Sequence, residues 1–312
     1  MILILMKLFN KIKFKTAKTI LSLSLLWLIG GFWGEVSNSK TPAIAQTLPT
    51  LTPTTPTAIA HLNEGLTLIQ QGQIENAIAQ FRQAVQVDPS LAPAHYNLGL
   101  ALRQQGQIEP AQTAFYQAIE ADPEFALAYT NLGAALFETN NLTAARQYLE
   151  YALNLDPNSG ITHYNLGLVL VDLGETDNAI AHFQQALNLS PNAPESAYHL
   201  GAIYLNRNNP TVAQRYFQQA IRINPRYPEA QYQLGILYFN QGNLDKALNA
   251  FRQSAEANPN YANAYFGAGI VFKDQQRFPE ATRVLQFAID LYEAENNWEW
   301  ANQARDLLNQ MN

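Results

Sequence analysis

Of the 312 residues none is cysteine. This excludes a disulfide framework, a thiolate zinc site, a thiol nucleophile and a lipid anchor on cysteine. Charge is scarce as well. Asp, Glu, Lys and Arg make up 14%, against about 25% in an average soluble protein. The net charge is −6, so the basic footprint of a nucleic-acid-binding protein is missing. Polarity comes from amides instead: from Gln46 onward there are 27 Asn and 27 Gln. A hydrophobic content of 47% is ample for a large core and argues against wholesale disorder.

Residues 1–45 stand apart from the rest. Lys7, Lys11, Lys13, Lys15 and Lys18 form a basic start, Thr19 to Gly34 is uncharged and apolar, and Ala43-Ile44-Ala45 is a small-x-small site. That order is the pattern of a secretory signal peptide, with Ala43 and Ala45 flanking the cleavage site. The rival reading is a retained anchor, with membrane association through residues 19–34. This uncharged window has 16 residues, whereas a spanning helix needs roughly 20. On either reading the lysines stay inside and the rest lies outside the cytoplasm. Without residues 1–45, which hold six Lys and one Glu, 13 basic and 24 acidic residues remain, a net charge of −11. Residues 46–57 are Thr/Pro-rich and read as an extended spacer.

The remainder is periodic. Gly65, Gly99, Gly133, Gly167, Gly201, Gly235 and Gly269 are 34 residues apart, and Pro89, Pro123, Pro157, Pro191, Pro225 and Pro259 keep the same step. Seven units fit without insertion: 58–91, 92–125, 126–159, 160–193, 194–227, 228–261 and 262–295. With positions counted 1 to 34 from Ala58, apolar or small residues recur at 4, 7, 8 and 11 and again at 20, 24 and 27. Each stripe marks one face of a helix. Turn residues between the stripes end the first helix, and the Pro at position 32 ends the second. Gly at 8 and Ala at 20 let the two helices cross closely. After the last unit, Trp298, Ala301, Ala304, Leu308 and Met311 make a one-sided stripe, so 297–310 reads as a capping helix within 296–312.

The segments HYNLGLALRQQGQ (95–107) and HYNLGLVLVDLGE (163–175) resemble the tetratricopeptide repeat. The resemblance implies an all-α fold, a right-handed superhelix of seven helix pairs. It also implies protein binding without chemistry. The residues agree with that: there is no phosphate loop, glycine fingerprint or paired catalytic acid, and no cofactor or metal is expected. His61, His95 and His163 occupy position 4 on the inward stripe and read as satisfied, partly buried residues. His182, on a second helix, has no His at i+3 or i+4.

At about 100° per residue, positions 2, 6, 9 and 13 lie opposite the buried stripe. In the family that face lines a concave groove. Position 6 reads Asn63, Asn97, Asn131, Asn165, His199, Gln233 and Gly267. This row resembles the asparagine ladder that clamps a peptide backbone, since an amide both donates and accepts. The bland reading is repeat consensus. Positions 2 and 9 add an apolar component, including Leu100 and Leu168, which calls for a cover. The aromatic stripe at position 5 reads as packing between repeats. Glu138, Asp172, Glu195 and Glu229 point to the groove face, and positions 2, 6, 9 and 13 hold no Lys or Arg. A carboxylate clamp is therefore rejected, and a neutral, apolar or basic partner segment is expected. The leading expectation is an exported, non-enzymatic scaffold that assists assembly of an envelope or membrane complex. A self-associating spacer is the alternative. The ending Ala-Ile-Ala-Gln resembles signals of photosynthetic bacteria, implying the periplasm or thylakoid lumen. N-terminal sequencing of the mature protein should begin at Gln46, whereas an intact N-terminus in the membrane fraction would establish an anchor.

Overall fold

The computed structural model describes residues 55–311, all of whose regular structure is helical. The cleavage site and most of the spacer lie outside the described residues. The chain divides into two compact units, one ending at His182 and the other beginning at Phe183. The helices up to that boundary are α1 (Thr55–Gln70), α2 (Ile74–Val87), α3 (Ala92–Gln104), α4 (Ile108–Ala121), α5 (Ala126–Glu138), α6 (Leu142–Leu155) and α7 (Gly160–Asp172), with α8 (Thr176–Leu189) crossing it. The second unit continues with α9 (Pro194–Asn206), α10 (Pro210–Ile223), α11 (Pro228–Asn240), α12 (Leu244–Ala257), α13 (Ala262–Asp274), α14 (Phe278–Ala294) and α15 (Trp298–Asn309). Odd-numbered helices up to α13 are the first helices of successive repeats, and even-numbered ones the second.

Each pair closes on one contact. A Cβ added to Gly99 would lie 2.6 Å from the ring of Phe115, and one added to Gly235 would lie 2.5 Å from that of Phe251. Phe81, Phe115, Phe217 and Phe251 are fully or almost fully buried in these seats, and Leu149 and Leu285 take the same place against Gly133 and Gly269. Ala at position 20 is fully buried in every repeat. Between the helices the chain turns through a left-handed residue, with Gly72 at φ 73° and Gly106 at φ 75°. Asn140, Asn208 and Gln276 do the same at φ 65°, 56° and 59°, at some conformational cost for a residue with a side chain.

The second helix ends in a side-chain turn that the Pro period conceals. At position 31 the side-chain oxygens of Asp88, Asp122, Asp156, Asn224 and Asn258 each accept from the backbone N–H two residues on, at 2.9–3.1 Å. Repeat 7 lacks the Pro, and α14 accordingly runs 17 residues where α12 has 14.

Two expectations change. The spacer does not stay extended to residue 57, because α1 starts at Thr55. Pro56 is tolerated there, since the N–H it lacks belongs to the first turn and would have no helical partner. In the cap, Ala301 and Ala304 are buried as expected, but Trp298 is 55% exposed. The indole that seals the array is Trp300, edge-on to Phe266 at 5.7 Å and 6.1 Å from Tyr292.

The glycine seat is testable. Gly99→Ala pushes a methyl into Phe115 and should destabilise the protein by about 1–3 kcal/mol, despite the better helix propensity of Ala. An unchanged melting temperature by circular dichroism would contradict it.

Candidate functional site

The glycine at position 8 faces the second helix, so the opposite side of each first helix carries positions 2 and 6. Neighbouring first helices touch, α1 with α3, α3 with α5 and α5 with α7. Their position-2 residues thus form a row on the first unit. Ile59, Leu127 and Ile161 are 37%, 40% and 38% exposed, and Pro93 between them is exposed too. Position 9, expected to share that exposure, is covered: Leu168 and Ile236 are buried, while Leu66 and Leu100 pack partly buried against the core. Helical angle does not account for the difference, since position 9 lies about 20° from position 2; at Leu66 and Leu100 the cover is contact with the core cluster.

The amide row is not uniform. Asn63 is exposed, and Asn97 and Asn165 are half-buried. Asn97 donates from Nδ2 to the Pro93 carbonyl at 2.7 Å, one turn back. Asn131 is fully committed. It donates to the Leu127 carbonyl (3.0 Å) and the Tyr96 hydroxyl (3.2 Å), and its oxygen accepts from Arg103 (3.4 Å). As folded, Asn131 is therefore not a free rung of a ladder. His199 leaves the row altogether. It is buried, its ring stacked 5.2 Å from Phe183 at 9°, and burial lowers its pKa to about 4. Gln233 is half-buried and hydrogen-bonds the phenol of Tyr198.

The charge reading needs correction as well. Arg103 at position 12, beside the positions read for charge, swings its long side chain onto this face. Its guanidinium contacts Glu138 at 2.5 Å and 2.9 Å, with the two side chains 7% and 20% exposed. Glu138 is thus neutralised inside the chain, and the first unit presents apolar and amide groups. In the second unit, position 2 turns acidic with Glu195 and Glu229, both half-buried. Burial raises both carboxyls above the usual range, and the charge of Glu195 adds to the rise at Glu229. Asp172 is half-buried. The aromatic stripe at position 5 is packing: Tyr164, Tyr198, Tyr232 and Phe266 are buried, and Tyr96 lies 4.9 Å from Phe125.

Two of the histidines at position 4, His61 and His163, meet the second helix of their own repeat. Nδ1 of His61 donates to Gln80 at 2.6 Å. Nε2 of His95 donates to the Pro89 carbonyl at 2.9 Å, and Nε2 of His163 to that of Pro157 at 3.1 Å. This leaves Nδ1 of His163 to accept from Nδ1 of His182 at 2.9 Å. His182 thus has a histidine partner 19 residues away, which no i+3 or i+4 search reveals. Burial, then the neighbouring His163, lower its pKa. Among the described residues no three His, Asp or Glu side chains group as metal ligands. No helix among them is long and apolar enough to cross a membrane.

Models of the tetratricopeptide repeat match residues 96–160, 198–262 and 232–296, more than half of the chain, and a related repeat model matches 65–105 and 167–207. Among solved structures, a tetratricopeptide repeat protein from Parabacteroides merdae aligns with a TM-score of 0.62 at 18% identity, covering 80% of this chain and 99% of its own. PilF of Pseudomonas aeruginosa aligns at 0.60 and 23% identity, covering 68% of this chain and 97% of its own. YrrB, described as having an unusual peptide-binding site, is 30% identical with a TM-score of 0.48 over 62% of this chain and 99% of its own. No curated protein sequence matches the chain.

His199 supplies a pH test. Its folded pKa of about 4 lies below the ordinary 6.5, so the unfolded chain binds more protons in that window. Stability from this site is complete above pH 6.5 and is lost as pH falls toward 4, by at most about 1.4 kcal/mol per pH unit. The melting temperature of the wild type should therefore drop more between pH 7 and 5 than that of His199→Gln. Parallel profiles would refute a buried neutral imidazole.

Proposed function

Because the chain belongs to the tetratricopeptide-repeat family, whose repeats build protein-interaction scaffolds, we propose that it holds a segment of a partner protein along the position-2 and position-6 face of its first helices. The supporting observation is the row Ile59, Pro93, Leu127 and Ile161, apolar and exposed on four adjacent helices. A row of this kind is costly in water and gains from cover. Asn63, Asn97 and Asn165 flank it as hydrogen-bonding groups, so an extended segment with apolar side chains fits the first unit. Glu195 and Glu229 favour neutral or basic residues against the second.

The pattern of residues 1–45 supports a location outside the cytoplasm, in the periplasm or thylakoid lumen or anchored with the repeats outside. There the scaffold would serve assembly of an envelope or membrane complex. Self-association is the weaker reading, because a second copy would bring together two chains of net charge −11 once residues 1–45 are removed.

A photo-crosslinking residue at Leu127 or Ile161 should capture a partner in envelope preparations, and the same residue at Tyr116, exposed on a second helix, should not. Capture of the same protein only from Tyr116, or equally from both faces, would contradict the assignment.

A further inference from the structure

Within a repeat, position 4 of the first helix looks toward position 23 of the second. His61 meets Gln80, Tyr129 lies 6.2 Å from Tyr148, and His163 meets His182. Tyr216 occupies position 23 in repeat 5. Repeats 2 and 6 have only Ala114 and Ala250 there. In repeat 2, Nδ1 of His95 is buried with no partner. In repeat 6 Ala250 lines an open cleft of about 400 Å³ between α10, α11 and α12.

The walls of that cleft have a definite chemistry. Gln231 and Leu234 form part of the lining from α11, with the ring of Tyr238 beside them. Arg222 enters from α10 and Lys246 from α12, and no carboxylate lines the space. The Lys246 ammonium lies 5.7 Å from the centre of the Tyr238 ring. Among the described residues neither Arg222 nor Lys246 belongs to an ion pair. Gln231 is 5% exposed, an amide held almost out of water at the cleft wall. Two unpaired cations in a strongly acidic chain, beside an aromatic ring and an apolar wall, form an anion-selective arrangement. The volume falls in the range of small-molecule sites, about 300–1,000 Å³.

We propose that this cleft binds a small organic anion, its carboxylate or phosphate held by Arg222 and Lys246 and its apolar part lying against Tyr238 and Leu234. Gln231, Leu234 and Tyr238 occupy positions 4, 7 and 11, the side of α11 opposite the proposed partner-binding face. The two sites are thus separable, and the anion site stands whether or not the partner site does.

Calorimetric titration of the full chain with phenyl phosphate, benzoate and neutral benzyl alcohol tests this. At least one anion should bind saturably, at least tenfold more tightly than benzyl alcohol and more weakly as salt is raised. The preferred anion identifies the head group. Arg222→Gln with Lys246→Gln, both exposed positions, should weaken binding at least tenfold. Ala250→Tyr, which installs the residue found at this position in repeats 3 and 5, should fill the cleft and abolish binding. Should the Tyr variant fail to fold, the exposed double variant decides alone. Absence of saturable anion binding, equal binding of benzyl alcohol, or full affinity in the double variant or a folded Ala250→Tyr would overturn the proposal.

Discussion

A Phe or Leu ring or branch seated on a helical glycine is the contact from which the rest of the molecule follows. It brings two helices too close for any other residue at position 8, as the 2.4 Å between a hypothetical Cβ on Gly65 and Phe81 makes plain. Once the crossing is fixed, every first helix has one side committed to its partner helix. The opposite side, with position 2 and most of position 6, is left to face outward, His199 excepted. The proposed binding face is therefore not an addition to the fold but the remainder of its packing. Its chemistry varies freely along the array, from Ile59 and Leu127 to Glu195 and Glu229, because those side chains carry little of the core.

A second variable layer lies where positions 4 and 23 meet. The glycine contact holds the helices together without this pair, so the pair tolerates exchange: Gln80, Tyr148, His182 and Ala250 all occupy position 23. Where both residues are large they fill the gap, as with His163 and His182 at 2.9 Å. Where position 23 is alanine, repeat 2 retains an unpaired imidazole nitrogen and repeat 6 an open cleft. Conserving one contact and relaxing the next gives a repeat array room for distinct surfaces on a constant frame.

The frame was legible because its signals are strict and local. Gly99 and Phe115, Pro123 and Ala111 recur at one spacing, and helical periodicity turns that spacing into two faces. The departures were legible only in three dimensions. Arg103 sits at position 12, outside the set of groove positions, and a long flexible side chain reaches where its Cα does not point. His199 shares a register with asparagines but stacks on Phe183, since an imidazole in a crowded layer gains more from packing than from water. Trp298 and Trp300 both suit an apolar stripe, and only the contact with Phe266 separates them. The cleft beside Ala250 lies where a small residue stands opposite an ordinary glutamine, a coincidence that no single position announces.

The central claim is that the outward face of the first helices, and not the second-helix surface, carries partner binding. The most direct test is the affinity of the captured partner for Ile59→Ser/Leu127→Ser/Ile161→Ser compared with Tyr116→Ser. All four side chains are exposed, between 37% and 47%, so neither set should open a core cavity. The account predicts at least a tenfold loss of affinity, about 1.4 kcal/mol, for the first set and none for the second, with both melting as the wild type does. Equal affinity for the two sets, or loss confined to the tyrosine variant, would contradict it.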